Sequence, residues 1–560
     1  MKLWLDSETY NEEPIKSGTH KYGETVEVMI LTYAFDDGPV KCVDIANGDA
    51  IPDELRAALA DETIEIWAQN SFFDRTMFGY DALLKDKVAG DVTRWRDTMV
   101  QAMAHGLPGG LDKLCEIFGI RADLAKDKEG KALIQLFCKP LKGKRATKQT
   151  HPAKWAHFLA YAGTDISAMR AIAAKLPKWN YPYLDWHRQL WYLDQNINDR
   201  GFEIDLDLAN AALRAVDKQK AILAERTMEL TDGEVSSASR RDLLLAHILE
   251  HYGIDLPDMR ASTLNTRIND LSLPWAVREL LAVRLETSTA SVAKYKTLLR
   301  STSSDSRLRG TLQFCGASRT GRWAGRMFQP QNLPRPSLSQ EQIDIGIDAL
   351  KMDVADMLDD KVTVLCSSAI RAAICAREGH KLVVSDLSNI EGRVLVWLAD
   401  EEWKLQAFRD YDAGEGADLY KLAYARAFNI TPEEVDKAMR QIGKVMELAL
   451  GYAGGVGAFF TFALVYGLDL ENLARIAQLP PRIRKEAEDF YTWQLRVKKG
   501  KMIKVSKEVF IICEALKRMW REAHPNVVSL WDKAESTVRK AIQNPGKKYD
   551  INGKITVVKQ

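Results

Sequence analysis

No stretch of about 18 consecutive apolar residues occurs in the 560-residue chain, which argues against a membrane-spanning helix, and no membrane partner is expected. The opening MKLWLDSETY reaches charged side chains too soon for a secretory signal. Cysteine is scarce: seven residues, at 42, 115, 138, 315, 366, 375 and 513, with no Cys-x-x-Cys spacing among them. That excludes a disulfide framework and a cysteine-rich zinc site, and it suits a reducing cytoplasm. Internal repeats and low-complexity tracts are missing too. Hydrophobic content of 46% and charged content of 28% describe an ordinary globular chain, neither disordered nor fibrous. One core does not serve this length, and about three or four domains are expected.

An overall excess of charge is also absent, since the formal net charge is only +1, but this total hides an asymmetry. Residues 1–100 hold 20 acids against 10 bases, so the other 460 carry +11. KPLKGKRATK (139–148) and RVKKGKMIKVSK (496–507) concentrate that surplus. Each run is either a solvated loop or a contact to phosphate backbone, where Lys and Arg release condensed counterions.

The first 175 or so residues alternate strand-like and helix-like stretches, as in an α/β domain. KLWLDSET, EVMILTYAF and TIEIWAQN read as strands. From Trp179 to Arg300 the pattern is helical, clearest in ANAALRAVDKQKAILAERTMEL (209–230). RSTSSDSRLRG (300–310) reads as a polar linker, and helices dominate from about 400 to Ile542.

Several acids stand where chemistry is expected. Asp6 and Glu8 are two apart on a strand, so both leave the same face. A D-x-E alone carries little information. NSFFD (70–74) then sets Asp74 just after a strand, and YAGTD (161–165) puts Tyr161 and Asp165 on one helix face. Four carboxylates suit a pair of Mg²⁺ ions that must also bind a phosphodiester and a water, with the tyrosine beside them orienting that water. Further on, VVSDLSNIEGR (383–393) reads as an apolar strand stopping on Asp386, followed by Glu391 and Arg393. ASRTGRWAGRMFQPQNLPRP (317–336) offers Arg322, Gln331 and Asn332 as donors to minor-groove acceptors, which every base pair presents. TPEEVDKAMRQIGKVMELALGYAGG (431–455) opens with capping-box spacing at Thr431 and Glu434. Arg440, Lys444, Leu448 and Tyr452 follow at intervals of four, a stripe suited to a triphosphate, then a sugar and base. The same stripe also occurs on ordinary amphipathic helices.

In this order D-x-E, N-x-x-F-D and Y-x-x-x-D resemble the three motifs of the DnaQ-like (DEDDy) 3′→5′ exonucleases. By that resemblance Asp6, Glu8, Asp74 and Asp165 hold two metals and Tyr161 aligns the attacking water. The later motifs resemble the family A (DNA polymerase I type) DNA polymerases, especially their bacteriophage members, over essentially the whole chain. The resemblance implies an RNase H-like α/β exonuclease domain (1–175) followed by an α+β right hand. The hand comprises a connector and helical thumb (176–305), the first part of the palm (306–400), fingers (401–515) and an incomplete return to the palm (516–560). It implies primer–template DNA and dNTPs as partners, and two Mg²⁺ ions per active site, for which Mn²⁺ can substitute.

Carried over residue by residue, Asp386 is a palm metal ligand and Glu391 helps exclude a ribonucleotide. Arg440 and Lys444 bind the incoming triphosphate, Tyr452 lies near the nascent pair, and Arg322 touches the primer end. Gln331, Asn332 and Arg393 belong to the same substrate-binding motifs. Leu448 departs from the family, where many relatives place an aromatic residue. The family takes its second palm aspartate from a His-Asp motif. None of the nine histidines here precedes an acid, and Asn552-Gly553 near the end reads as a type I′ hairpin turn. The expectation is that this carboxylate is not in the polypeptide, whether through truncation, an interrupted gene or a split enzyme completed by a second polypeptide. A standalone exonuclease with a DNA-gripping remnant, and a DNA-binding accessory subunit, are the alternatives.

Overall fold

Strand β1 (Lys2–Tyr10) lies at the centre of a five-stranded sheet with β2 (Glu27–Phe35), β3 (Lys41–Asp44), β4 (Glu65–Ala68) and β5 (Trp95–Asp97). The computed structural model describes residues 1–85, 91–120, 130–288, 293–358, 362–498 and 505–559. Among them the chain forms two compact units, Met1–Leu382 and Val383–Gln560. The sheet order is β3-β2-β1-β4-β5, antiparallel through β1, β2 and β3 and parallel through β1, β4 and β5. The three strands predicted from sequence are β1, β2 and β4.

Both faces of this sheet are covered, which is why β2 reads as a nearly unbroken apolar run. On one face Leu3, Leu5, Leu31 and Tyr33 pack with Phe78 and Trp95. On the other, the Pro152–Lys175 helix lays Trp155, Phe158 and Tyr161 over Met29 and Ile30, and Ile166 and Met169 against Trp4. Side chains alternate along β1. Trp4, Asp6 and Glu8 therefore meet the Pro152–Lys175 helix, while Leu3, Leu5 and Ser7 meet the opposite core.

The predicted helix within 209–230 spans Leu206–Leu230. The expected 300–310 linker is built into the first unit, because Arg307–Leu308 pairs with Phe202–Glu203 in a three-stranded ladder that Ile374–Cys375 completes. Gly201 begins that ladder at φ +58°, where an added Cβ would stand 2.3 Å from the Leu308 carbonyl oxygen. Leu312–Ala317 and Arg322–Gly325 form a hairpin held by Trp323 Nε1 donating to Asp194 at 2.7 Å.

In the second unit the expected strand ending on Asp386 is not formed. Residues 380–387 have no regular secondary structure, and Val383 and Val384 are 82% and 91% exposed. A strand needs neighbours for its N–H and C=O groups, and among the described residues none pairs with this run. The capping box at Thr431 and Glu434 is present but caps only the short 3₁₀ turn Pro432–Glu434. The helix itself, Lys437–Leu450, starts from a separate cap, with the Asp436 side chain accepting from Met439 N. It ends before Tyr452, so the predicted four-residue stripe loses its last member to the following turn. Residues 499–504 of the basic run at 496–507 lie outside the described residues. Tyr549–Ile551 and Ile555–Val557 form the predicted hairpin, with Asn552 and Gly553 both at positive φ, 54° and 68°. No helix among the described residues is long and apolar enough to cross a membrane.

A buried ion pair ties the helices of this unit. Lys404 Nζ donates to Glu447 and lies 3.0 Å from His524 Nε2, while Trp520 Nε1 donates to Glu447 at 2.9 Å. Burial alone would raise the Glu447 pKa, but the neighbouring Lys404 ammonium, helped by the hydrogen bond from Trp520, holds it below its ordinary value. Burial, reinforced by the Lys404 charge, pushes His524 down to about 3, so its imidazole is neutral. Lys404→Met leaves a buried, unpaired carboxylate and should cost about 3–5 kcal/mol. Urea midpoints followed by circular dichroism check this, and Lys404→Met combined with Glu447→Gln should recover most of the loss.

Candidate active site

Asp6, Glu8 and Asp165 converge, with one carboxylate oxygen of each within 4.8 Å of the others. The strand supplies two of them by its pleat, and the Pro152–Lys175 helix supplies the third one turn beyond Tyr161. All the donors are hard oxygens, a set that fits Mg²⁺ or Mn²⁺. Tyr161 is almost completely buried, and its phenol is held far above its ordinary pKa by burial, then by the charges of Asp165, Glu8 and Asp6. It stays a neutral O–H. Beside Glu8 opens a cavity of about 580 Å³ lined by Ser7, Glu8, Asn11, Tyr22, Phe73 and Cys138, a size that admits a nucleotide.

Asp74 stands outside this group. It sits in the first turn of the Ser71–Tyr80 helix, which packs on the Leu3–Leu5 face, and its Oδ1 accepts from Ser7 Oγ at 2.5 Å. Ser7 alternates with Asp6 and Glu8, so its side chain leaves the other side of β1. Burial, with the charge of Asp97 adding to it, pushes the Asp74 pKa up to about 7.

Sequence reasoning missed three residues here. Asp97, at the end of β5, is buried and accepts from Asn70 N (3.1 Å), Ser71 N (2.7 Å) and Ser71 Oγ (2.9 Å). It thereby pins the helix that carries Asp74. Cys138 directs its thiol to Glu8 Oε2 at 3.7 Å, and burial, then the Glu8 charge, holds that thiol protonated. Gly130 leaves room for Tyr161, since a Cβ there would fall 2.2 Å from the ring. A polar residue at a strand end was the only available signal, and only for Asp97.

In the second unit Glu391, in the first turn of the Ile390–Ala399 helix, accepts a hydrogen bond from the Tyr452 hydroxyl. Both line a small hollow with Leu448, Glu447 and His524. Arg440 donates to Asp418 Oδ2 at 2.8 Å, and the Lys444 ammonium lies 4.8 Å from the Tyr466 ring centre. Arg393 is committed elsewhere, in a two-pronged pair with Asp412 (2.7 Å each) over the Phe408 ring. Asp386 is on the exposed, unpaired run. In the first unit Arg322 is exposed on its hairpin strand. Gln331 and Asn332 end the Pro330–Asn332 turn, where Gly325 admits the Gln331 amide against the backbone.

An N-terminal sheet bearing clustered carboxylates is thus followed by a helical unit bearing Arg440, Lys444, Glu391 and Tyr452. The family model for DNA polymerase family A matches residues 212–493, and the chain belongs to that family. It is 35% identical over 505 residues to a DNA polymerase of Bacillus phage SP02, covering 87% of this chain and 75% of the relative. It is 32% identical over 111 residues to the thermostable DNA polymerase I of Thermus thermophilus, which is 20% of this chain and 11% of that one. Its fold is similar to the POL domain of Pol1 from M. smegmatis, solved with DNA primer-template and dNTP. That match has a TM-score of 0.53 at 16% identity and covers 97% of this chain and 75% of the other.

The Asp74 environment has a pH consequence. Its folded-state pKa of about 7 lies above the ordinary 3.8, so the folded form favours the proton. Stability associated with this group is fully present below pH 3.8 and is lost as the pH rises through 7. Asp74→Asn, which cannot ionise, should gain on the parent between pH 4 and 8 by up to about 4 kcal/mol. Denaturant midpoints at both ends of that range measure it; an unchanged difference would mean that Asp74 ionises freely.

Proposed function

We propose that this chain is a replicative DNA polymerase of bacteriophage kind that also proofreads with an N-terminal 3′→5′ exonuclease. Residues 1–175 are the RNase H-like exonuclease domain, 176–305 connector and thumb, 306–400 and 516–560 palm, and 401–515 fingers. The observation that carries the nuclease is the convergence of Asp6, Glu8 and Asp165 beside Tyr161. The β3-β2-β1-β4-β5 order and the cavity at Glu8 support it. Family membership, with the Arg440–Lys444 face and the Glu391–Tyr452 pair, supports the polymerase.

Divalent ions, Mg²⁺ with Mn²⁺ able to substitute, would supply activation of a water and neutralisation of phosphate charge. The chain's own residues do the rest. Asp6, Glu8 and Asp165 hold that charge at one point of the sheet. Tyr161 keeps its proton and so can orient a water by donating to it. Asp74 requires a turn away from Ser7 to join them. In the second unit Arg440 exchanges Asp418 for a triphosphate oxygen, and Lys444 adds a second positive charge about one turn along. Glu391, hydrogen-bonded to Tyr452, helps exclude a ribonucleotide's 2′-hydroxyl, and Tyr452 lies near the nascent pair.

A second reading keeps only the nuclease, with the rest of the chain gripping primer–template DNA. One observation favours it: Asp386 stands on an exposed run outside any strand.

The chain should degrade single-stranded DNA from its 3′ end with Mg²⁺ or Mn²⁺. Asp6→Ala with Glu8→Ala should abolish that and leave DNA binding intact; undiminished degradation would place the site elsewhere. Gly130→Ala, which displaces Tyr161, should lower the rate without weakening DNA binding. Primer extension, run with and without an added fragment bearing a His-Asp pair, separates the two readings: any synthesis should be lost with Asp386→Ala, and no synthesis in either case supports the nuclease-only reading. Arg440→Ala or Lys444→Ala should weaken dNTP binding in the ternary complex more than primer–template binding. Equal losses in both would reduce that face to packing.

A further inference from the structure

A second cluster of metal-ligating side chains lies in the first unit, on different residues and with different chemistry. The Arg241–Tyr252 helix carries His247 and His251 four residues apart, so both rings share one face. Glu234, in the loop after the Leu206–Leu230 helix, reaches between them. Its Oε2 is 2.7 Å from His247 Nδ1 and 2.9 Å from His251 Nε2. One ligand atom from each of the three lies within 4.8 Å of the others. Tetrahedral bonds of about 2.0–2.1 Å place neighbouring donors about 3.3 Å apart, which small side-chain rotations here would reach.

The supports are already in place. Glu234 N donates to Thr231 O at 2.9 Å, Val235 N to Thr231 Oγ1 at 3.2 Å and Ala238 N to Thr227 Oγ1 at 3.2 Å, so the loop is fixed to its helix end. His247 is buried and its Nε2 has no hydrogen-bond partner, so Nδ1 is the nitrogen presented to Glu234. His251 and Glu234 are about half exposed, which leaves a fourth position open to water.

We propose that Glu234, His247 and His251 bind one divalent transition ion of the Zn²⁺ class and clip the 231–240 loop to the Arg241–Tyr252 helix. Two imidazoles and one carboxylate suit Zn²⁺ or Co²⁺, whereas Mg²⁺ prefers oxygens and retains its waters. The site is thus chemically separable from the all-oxygen cluster at Asp6, Glu8 and Asp165.

The test uses the full chain carrying Asp6→Ala and Glu8→Ala, which removes the oxygen cluster, in millimolar Mg²⁺. Equilibrium dialysis against Zn²⁺ and the visible spectrum of Co²⁺ should each report one bound ion. Adding His251→Ala or Glu234→Ala, both at exposed positions, should weaken binding by at least about tenfold, since loss of a mere supporting contact already costs about that much. Circular dichroism confirms that these variants remain folded. Limited proteolysis within 231–240 should slow with Zn²⁺ in the parent and not in the variants. Absence of bound Zn²⁺ in the parent, or equal affinity in parent and His251→Ala, would overturn the proposal and leave only a hydrogen-bonded His-Glu-His cluster.

Discussion

Strand β1 is paired along both edges, antiparallel to β2 and parallel to β4, and the first unit's chemistry depends on that. Double pairing locks the register, and a slip of one residue would exchange the two faces of the strand. With the register held, Asp6 and Glu8 meet the long helix that brings Tyr161 and Asp165, and Ser7 meets the helix that brings Asp74. Clustering three carboxylates is electrostatically unfavourable by itself. It is tolerated because packing of Trp155, Phe158 and Ile166 against the sheet positions the helix regardless of those charges.

The second unit relies on a different device. Its helices meet around a buried ammonium and carboxylate, Lys404 and Glu447, with Trp520 and a neutral His524 completing the contacts. Such a pair contributes little net stability compared with apolar side chains of the same volume, yet it is unforgiving of rearrangement. The consequence is positional. Glu447 lies on the Lys437–Leu450 helix that carries Arg440 and Lys444, so the buried pair sets the rotation of that helix and hence which way its cations face.

The first unit gathers anionic oxygens, those of Asp6, Glu8 and Asp165, and the second carries cations, Arg440 and Lys444, on one helix. These cations have partners, Asp418 for Arg440 and the Tyr466 ring for Lys444. Arg393 differs because both prongs of its guanidinium are satisfied by Asp412, making it a strut between helices.

Much of this was legible in the residues. The strands β1, β2 and β4, the helix bearing Tyr161 and Asp165, and the Asn552-Gly553 hairpin follow from local periodicity and turn chemistry, which act within a few residues. The motif order carried the family. Local pattern could not foresee that Asp74 would face Ser7, because the side of the sheet on which a helix packs is set by distant apolar residues. Nor could it foresee that KLVVSD would remain unpaired, since apolar alternation marks a strand but only a neighbouring strand makes one. The contacts of Gly130 with Tyr161, Cys138 with Glu8 and Glu234 with His247 and His251 bring together residues that are well separated in sequence. The sequence by itself determined the local elements and the order of motifs; the tertiary packing decided which side chains share a face, because that choice rests on burial summed over the whole unit.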